Sequence, residues 1–205
     1  STNLAERGNT VDPHCMLVSD LDGTLLGDEE ALQQFAEWWS ENRQFVRLVY
    51  NSGRLINSVL EKIETTGLPQ PNAVIGGVGT QIRMFGVAAP FPQGSDLTDW
   101  PQPLGRWSPE EIREVVLKFQ GIELQPEDQQ TEFKISFFGA DLTPRTLREI
   151  RQSLQQSGFR VELVYSSQRA LDVLPASVNK GTATEFLASH LDLPPERVVV
   201  AGDTG

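Results

Sequence analysis

Short apolar segments alternate with segments of helical period at the start of this chain. Apolar runs at residues 16–19, 46–50 and 73–75 have the length of buried strands, and apolar side chains recur at helical spacing over 29–43 and 55–66. Two parallel strands need a crossover of about a dozen residues between them, which a helix supplies. The alternation therefore predicts an α/β fold, in which crossover helices connect the strands of a parallel sheet.

A different order of segments follows a proline-rich stretch at residues 88–107. Ser108-Pro109 and Thr143-Pro144 are typical helix starts, because the hydroxyl caps the helix and proline suits its first position. Apolar runs at 133–138 and 160–165 indicate strands between and after these helices. This order predicts a separate small α+β unit.

The first pattern returns near the end of the chain, where a helix beginning at Lys180 precedes an apolar run at 198–201. We therefore expect a Rossmann-like core interrupted by an inserted α+β cap. In this division the core consists of residues 14–92 and 171–205, and the cap consists of residues 93–170.

The charge and cysteine content exclude several classes of partner. The 205 residues carry a formal net charge of −11, which argues against nucleic acid or an anionic membrane surface as partner. No apolar run is long enough to span a bilayer, and the polar residues before Met16 lack the apolar centre of a signal peptide. Cys15 is the single cysteine, so no disulfide framework exists and we expect a cytoplasmic protein.

Several catalytic motifs are missing from the sequence. The two histidines are too few for a three-histidine zinc site, and no GxxxxGK[ST] phosphate loop occurs. Cys15 lacks the arginine that a cysteine phosphatase loop needs six positions later. The glycine-rich segment at 76–80 does not have dinucleotide-binding spacing, and we interpret it as a turn between strands.

Polar side chains follow several of the predicted strands. They are Asp20 and Asp22, Ser52, Asp203, and Lys180 at the start of the last helix. Ligands of open parallel sheets bind at the carboxyl ends of the strands. The three carboxylates there would bind a hard cation such as Mg²⁺, while Lys180 and Ser52 would bind a phosphate group.

This arrangement predicts phosphoryl transfer. Asp20 would attack phosphorus and form an aspartyl-phosphate. Asp22 would protonate the leaving alcohol and then deprotonate the water that hydrolyses the intermediate. Phosphate monoesters hydrolyse so slowly without a catalyst that most of the acceleration must come from positioning and charge neutralisation.

Each residue also has a structural interpretation. Asp20 and Asp22 would suit a calcium-binding turn or a solvated loop, Ser52 would suit a helix cap, and Lys180 would suit a solvated helix start. Their order along the chain favours catalysis over these alternatives. For Arg54, contact with the substrate and pairing with a carboxylate are equally good hypotheses.

The segments "DLDGTLL", "NSGR", "NKG" and "GDTG" resemble the four ordered motifs of the haloacid-dehalogenase-like phosphatases. Other segments, such as "FKISFF" and "YSSQRALDVLP", are similar to the sucrose-phosphate phosphatase family, and residues 50–80 resemble its bacterial mannosylfructose-phosphate phosphatases. The resemblance implies Asp20 as nucleophile and Asp22 as acid and base. It also implies Ser52, Gly53 and Lys180 as phosphate ligands.

The same resemblance implies Mg²⁺ as cofactor, held by Asp20, Asp203 and the carbonyl of Asp22. It implies a small-molecule sugar phosphate as substrate: sucrose 6-phosphate first, then mannosylfructose phosphate, then glucosylglycerol phosphate. In the family the fourth motif continues into a further strand, whereas this sequence stops at Gly205, so we expect the sequence to be truncated at that end.

The sequence is also compatible with two other functions. A phosphomutase would return the phosphoryl group to a sugar, and the motifs barely distinguish this reaction from hydrolysis. A non-catalytic or regulatory domain tethered to a glycosyltransferase resembling sucrose-phosphate synthase is the alternative from another class. The complete set of Asp20, Asp22, Ser52 and Lys180 weighs against the second alternative.

Overall fold

The computed structural model describes residues 15–86 and 94–202 of the chain. The strands are β1 (Cys15–Ser19), β2 (Val46–Asn51), β3 (Ala73–Gly76), β4 (Gln81–Met84), β5 (Ser95–Asp96), β6 (Ile122–Leu124), β7 (Ile135–Gly139), β8 (Val161–Ser166), β9 (Ala170–Pro175) and β10 (Val198–Ala201). The helices are α1 (Glu29–Asn42), α2 (Ile56–Thr65), α3 (Pro109–Leu117), α4 (Pro144–Gln156) and α5 (Lys180–His190). Within these ranges no helix is both long and apolar enough to cross a membrane.

The larger sheet has six strands in the order β10-β1-β2-β3-β4-β5. The first four strands run parallel, as the alternating sequence pattern predicts, and β4 and β5 add antiparallel strands at one edge. The glycine-rich segment predicted to be a turn is a 3₁₀ turn, Gly77–Gly79, between β3 and β4. The sequence analysis implied a strand after this turn without giving its bounds, and it missed β5. Antiparallel neighbours need no crossover helix between them, so no helical period marks them in the sequence.

Helices cover both faces of this sheet. On one face, Leu32 and Trp39 of α1 and Val59 of α2 pack in a core cluster with Leu48 and Tyr50 of β2. The opposite face packs against α5. Because both faces of a parallel sheet are covered, its strands consist almost entirely of apolar residues.

The smaller sheet has four antiparallel strands in the order β6-β7-β9-β8. Helices α3 and α4 begin at Ser108 and Thr143, whose side chains accept hydrogen bonds from the backbone N–H three residues later, as the sequence predicts. Ile112 of α3 and Ile150 of α4 pack in one fully buried cluster with Phe137 of β7. The structure thus contains the predicted α+β unit.

The strand β9 belongs to the smaller sheet, since it pairs with both β7 and β8. The sequence-based boundary after residue 170 therefore falls behind the first residue of this strand and not after its last. At the other boundary, β5 pairs with β4 in the larger sheet, although the sequence division places it in the cap. A short apolar run looks the same whichever sheet it joins, so the pattern does not indicate its partner. The division into core and cap stays a prediction.

The sheet face of the smaller unit that lies opposite its helices carries a buried charged network. Lys134 is 4% exposed, and its Nζ donates to the carbonyl of Gln129 at 2.7 Å and to Ser136 Oγ. The Ser136 hydroxyl donates to Asp172 Oδ1 at 2.7 Å, and that oxygen lies 3.7 Å from Lys134 Nζ. Burial lowers the pKa of Lys134, while the Asp172 carboxylate opposes this effect.

We expect Asp172→Asn to lower the free energy of unfolding by about 3 kcal/mol, because it leaves the buried Lys134 ammonium without its counter-charge. Urea unfolding at pH 7 measures the difference. The matched control is Glu149→Gln, which removes an exposed pair with Arg145 and should change the free energy by less than about 0.5 kcal/mol.

Removing both charges separates this explanation from simple loss of packing. The double variant Lys134→Met/Asp172→Leu should regain most of the stability lost in Asp172→Asn, since no uncompensated charge is left. A double variant as unstable as Asp172→Asn would contradict the electrostatic explanation.

Candidate active site

The parallel strands bring Asp20 and Ser52 to one edge of the larger sheet. Asp20 follows β1, and its N–H donates to the carbonyl of Ala201 in β10 at 3.1 Å. Ser52 follows β2, and its N–H donates to the carbonyl of Ile75 in β3 at 2.9 Å. Both residues thus continue the backbone hydrogen bonding of the sheet, which fixes where their side chains start.

Lys180 reaches this edge from the first turn of α5. Its Nζ lies 3.2 Å from Asp20 Oδ1, so the predicted phosphate-binding cation and the predicted nucleophile are in contact. Asn179 caps the helix: its Oδ1 accepts from Thr182 N, and the Thr182 hydroxyl accepts from the backbone N–H of Asn179. Because a cation at a helix start is opposed by the helix dipole, the Asp20 carboxylate is a favourable partner for it.

Arg54 pairs with Asp22 in the structure. The guanidinium donates through Nε to Asp22 Oδ2 at 2.8 Å and through Nη2 to Asp22 Oδ1 at 2.9 Å. These hydrogen bonds, more than its charge at a distance, hold the pKa of Asp22 below its ordinary value of 3.8. Of the two hypotheses for Arg54, the structure shows the carboxylate pair, and contact with the substrate stays a prediction.

Ser52 is buried, with 3% of its surface exposed. Its hydroxyl accepts from the N–H of Arg54 at 3.0 Å and does not cap α2, whose first residue is preceded by Leu55. Among residues 15–86 and 94–202 the hydroxyl hydrogen has no acceptor, so it is available to a ligand oxygen. Gly53 lies beside it and makes no close contact, since an added Cβ would be 3.9 Å from Val78 Cγ2.

The predicted ligand Asp203 lies outside the described residues. The residue before it, Gly202, has a φ of +126°, and a Cβ added there would lie 2.9 Å from Asp20 Oδ2. Strand β10 therefore leads the chain directly to the Asp20 carboxylate. Asp20 and Asp22 supply the oxygen donors that a hard divalent cation prefers, but the described ranges hold no cluster of three or more metal-binding side chains.

Sequence reasoning missed several residues that surround Lys180. Asn51 ends β2 and donates to the Lys180 carbonyl, and Glu162 of β8 accepts from Asn179 Nδ2 at 3.0 Å. Gly79, with a φ of +92°, packs so closely that an added Cβ would lie 2.2 Å from the Asn179 carbonyl carbon. The capping sequence of Asn179 was a usable signal, as was a polar residue at the end of an apolar strand. Glu162 stands among apolar residues as any solvated strand residue does, so the sequence carried no signal for its contact with Asn179.

A cavity of about 630 Å³ lies beside this cluster. Its walls include Glu162 and Val164 of β8, Asn51 of β2, and Asn179 and Lys180 at the start of α5. It therefore lies between the two sheets and reaches the predicted phosphate-binding lysine. Another cavity, of about 700 Å³, lies between α1 and the end of α2 and contains none of the predicted site residues.

The sequence profile of sucrose-6F-phosphate phosphohydrolase matches residues 13–205, nearly the whole chain. The chain belongs to this family. The fold and the phosphatase class expected from the four motifs are thereby confirmed.

Curated relatives agree with the family. The chain is 38% identical to mannosylfructose-phosphate phosphatase of Agrobacterium fabrum, over 94% of this chain and 77% of the relative. It is 32% identical to probable sucrose-phosphatase 3a of Arabidopsis thaliana over 94% of this chain, which spans about half (47%) of that plant protein. It also matches, at 29% identity, 24% of a glucosylglycerol-phosphate synthase of Pseudomonas anguilliseptica.

Solved structures give the same fold. Sucrose-phosphatase from Synechocystis, solved in complex with sucrose and phosphate, superposes with a TM-score of 0.82 at 28% identity, covering 94% of this chain and 77% of that one. A phosphatase of the haloalkanoate superfamily from Bacteroides thetaiotaomicron has a TM-score of 0.66 at 17% identity, which supports the fold alone. Both likenesses confirm the α/β architecture with a parallel sheet.

We expect Arg54→Gln to raise the pKa of Asp22 toward 3.8, because it removes the hydrogen bonds that favour the carboxylate. A carbon-detected NMR titration of the aspartate carboxyls measures the shift. The matched control Arg83→Gln loses a comparable pair with Asp96, remote from the site, and should leave the pKa of Asp22 unchanged.

The same pair makes a small contribution to stability with a defined pH dependence. Since the folded-state pKa of Asp22 is lowered, the contribution is present above pH 3.8 and is lost as the pH falls through the lower folded value. The Asp22 side chain is 57% exposed and the Arg54 side chain 33%, so solvent screens the pair and we expect a difference of about 0.5 kcal/mol or less at neutral pH. A difference that grows at acid pH would contradict this assignment.

Proposed function

We propose that this chain hydrolyses the phosphate monoester of a disaccharide phosphate of the sucrose 6-phosphate type. Mannosylfructose phosphate and glucosylglycerol phosphate are the alternative substrates. The observation that carries the proposal is the contact of Asp20 with Lys180 at the carboxyl edge of the sheet, in a chain of this phosphatase family. A nucleophilic carboxylate and a phosphate-binding cation must be adjacent for this chemistry.

Asp20 is the nucleophile in the proposed reaction. One of its carboxylate oxygens forms a bond to phosphorus, and the bond between phosphorus and the sugar oxygen breaks. Lys180 and the free hydroxyl hydrogen of Ser52 bind the phosphate oxygens, which lowers the charge that the carboxylate must approach. Water then attacks phosphorus, releases inorganic phosphate and regenerates the Asp20 carboxylate.

Asp22 moves the protons in both steps. It gives a proton to the sugar oxygen as that oxygen leaves, and it takes one from the water that attacks the intermediate. The bidentate contact with Arg54 keeps Asp22 ionised and occupies both of its oxygens. Arg54 must therefore leave Asp22, and Asp22 must take up a proton from solvent, before the first step; the proton taken from water in the second step then restores the protonated acid. The phosphate group of the substrate is a competing anion for the Arg54 guanidinium.

Asp20, Asp203 and the carbonyl of Asp22 would hold Mg²⁺. Carboxylate and carbonyl oxygens suit this hard cation, and the pairing of the Asp22 carboxylate with Arg54 leaves its carbonyl for the metal. When bound, the ion supplies positive charge against the phosphate oxygens and the attacking carboxylate.

The cavity between the sheets would hold the sugar. Its walls combine the carboxylate of Glu162 and the amide of Asn179 with apolar groups of Val78 and Val164, a mixture that suits a sugar with polar and apolar faces. The family membership makes a phosphorylated sugar the natural occupant. We propose that residues of the smaller sheet determine which sugar is accepted, and that the smaller sheet closes over the site.

A role tethered to a glycosyltransferase is the second candidate function. Its support is the match to about a quarter (24%) of the glucosylglycerol-phosphate synthase, in which a domain similar to this chain is part of a larger protein. Such a transferase would be a partner of this chain, which would then act as a non-catalytic or regulatory domain beside it. The reducing cytoplasm is the proposed location for both functions.

The test is phosphate release from sucrose 6-phosphate, mannosylfructose phosphate and glucosylglycerol phosphate, with Mg²⁺ and with EDTA. We expect turnover of one of the three that requires Mg²⁺ and falls about 10⁴-fold or more in Asp20→Asn, because the nucleophile is removed. The matched control is Asp141→Asn, in an exposed turn of the smaller unit whose φ of +49° asparagine tolerates.

The products distinguish the alternatives. Release of inorganic phosphate supports hydrolysis, whereas an isomerised sugar phosphate without free phosphate would indicate a mutase. No reaction with any of the three, in a folded chain, would contradict the proposal and favour the tethered, non-catalytic domain.

A further inference from the structure

Lys180 belongs to a helix whose own cap does not fix its distance from the sheet. The capping box of Asn179 and Thr182 makes its hydrogen bonds within the first turn of α5, and the further bond of Asn179 Nδ2 goes to Glu162 of the smaller sheet, not to the larger one. The Nζ contact with Asp20, however, spans 160 positions of sequence and requires the first turn to sit at a set height above the sheet. Apolar side chains of α5 pack on the larger sheet, and a contact of the Lys180 backbone itself with a neighbouring strand would fix the height of the first turn.

Asn51 makes this contact. It is the last residue of β2, directly before Ser52, and its Nδ2 donates to the Lys180 carbonyl and to Thr184 Oγ1, both at 3.1 Å. The Thr184 hydroxyl in turn donates to the same Lys180 carbonyl at 2.8 Å. One side-chain amide thus connects the strand that carries Ser52 with the backbone of the residue that carries the cation.

The acceptor half of the same amide is unsatisfied. Asn51 is 4% exposed, and among the described residues its Oδ1 has no hydrogen-bond partner. A buried acceptor without a partner is costly, and an apolar side chain of similar size would avoid that cost. What the asparagine contributes in this position is therefore its donor group.

We propose that Asn51 is a positioning residue, which holds the first turn of α5 so that Lys180 stays in contact with Asp20. The effect of Asn51 on catalysis rests on the proposed phosphatase function, whereas its effect on the position of Lys180 does not. Asn51 also lines the cavity between the sheets, and the positioning role proposed here is separate from any contact with a sugar in that cavity. It acts through the backbone of Lys180.

The test is Asn51→Leu, which removes the donor and also the unsatisfied acceptor, so that the fold loses little. The first readout is the rate at which a limiting acylating reagent modifies Lys180, measured by peptide mass spectrometry. We expect this rate to rise about threefold or more, because an amine released from Asp20 is more accessible to the reagent. The chain has four lysines, and exposed Lys118 and buried Lys134 serve as internal references for the reagent and for unfolding.

The second readout is the affinity for inorganic phosphate in the presence of Mg²⁺, measured by calorimetry. We expect the dissociation constant to rise about tenfold, and activity to show the loss in the same variant. The matched control is Asn72→Leu, whose Oδ1 accepts from Leu48 N away from the site. It should destabilise the fold without changing the Lys180 rate or phosphate affinity.

An unchanged Lys180 rate in folded Asn51→Leu would overturn the proposal. If labelling of Lys134 shows that this variant is unfolded, Thr184→Val replaces it, because it removes one of the two acceptors of Asn51. A smaller rise in the Lys180 rate is then expected, and no rise would overturn the proposal. If the wild-type chain binds no phosphate, the proposed function is contradicted. If the Lys180 rate of Asn51→Leu is raised even so, the positioning role is supported.

Discussion

The site depends on the parallel hydrogen bonding of β10, β1, β2 and β3. Strands that run in the same direction end at the same edge, so the residues that follow them are neighbours in space. The bonds from Asp20 to Ala201 and from Ser52 to Ile75 extend this order one residue beyond the strands. The backbone alone therefore places the proposed nucleophile Asp20 and the proposed phosphate ligand Ser52 side by side.

The two carboxylates at this edge do not share a cation. Asp20 contacts Lys180, and Asp22 contacts Arg54. In a chain with a net charge of −11, this local pairing decides which charge each residue presents to an incoming anion. The two pairs also differ in the exposure of the carboxylate, since the Asp20 side chain is 12% exposed and the Asp22 side chain is 57% exposed. In the proposed reaction, Arg54 is the partner that the substrate displaces from Asp22.

Much of the fold could be predicted because its patterns are local. Helix periodicity, the caps at Ser108 and Thr143, and the apolar runs of β1, β2, β3 and β10 are each determined by a few consecutive residues. The errors concern pairing between strands. Strand β9 joins the smaller sheet and β5 the larger one, which depends on residues far away in sequence.

The sequence by itself determined which chemistry is available: two aspartates one residue apart, a serine, a lysine at a helix start and their order along the chain. Only the tertiary structure decided which of them meet, that Arg54 binds Asp22, and that Asn51 connects β2 to the backbone of Lys180. The physical reason is that motifs are local in sequence, whereas contacts join residues far apart in sequence. Motif residues are recognised by their neighbours in sequence, whereas a hydrogen bond is selected by distance and direction in space, which the packing of α5 against the sheet sets.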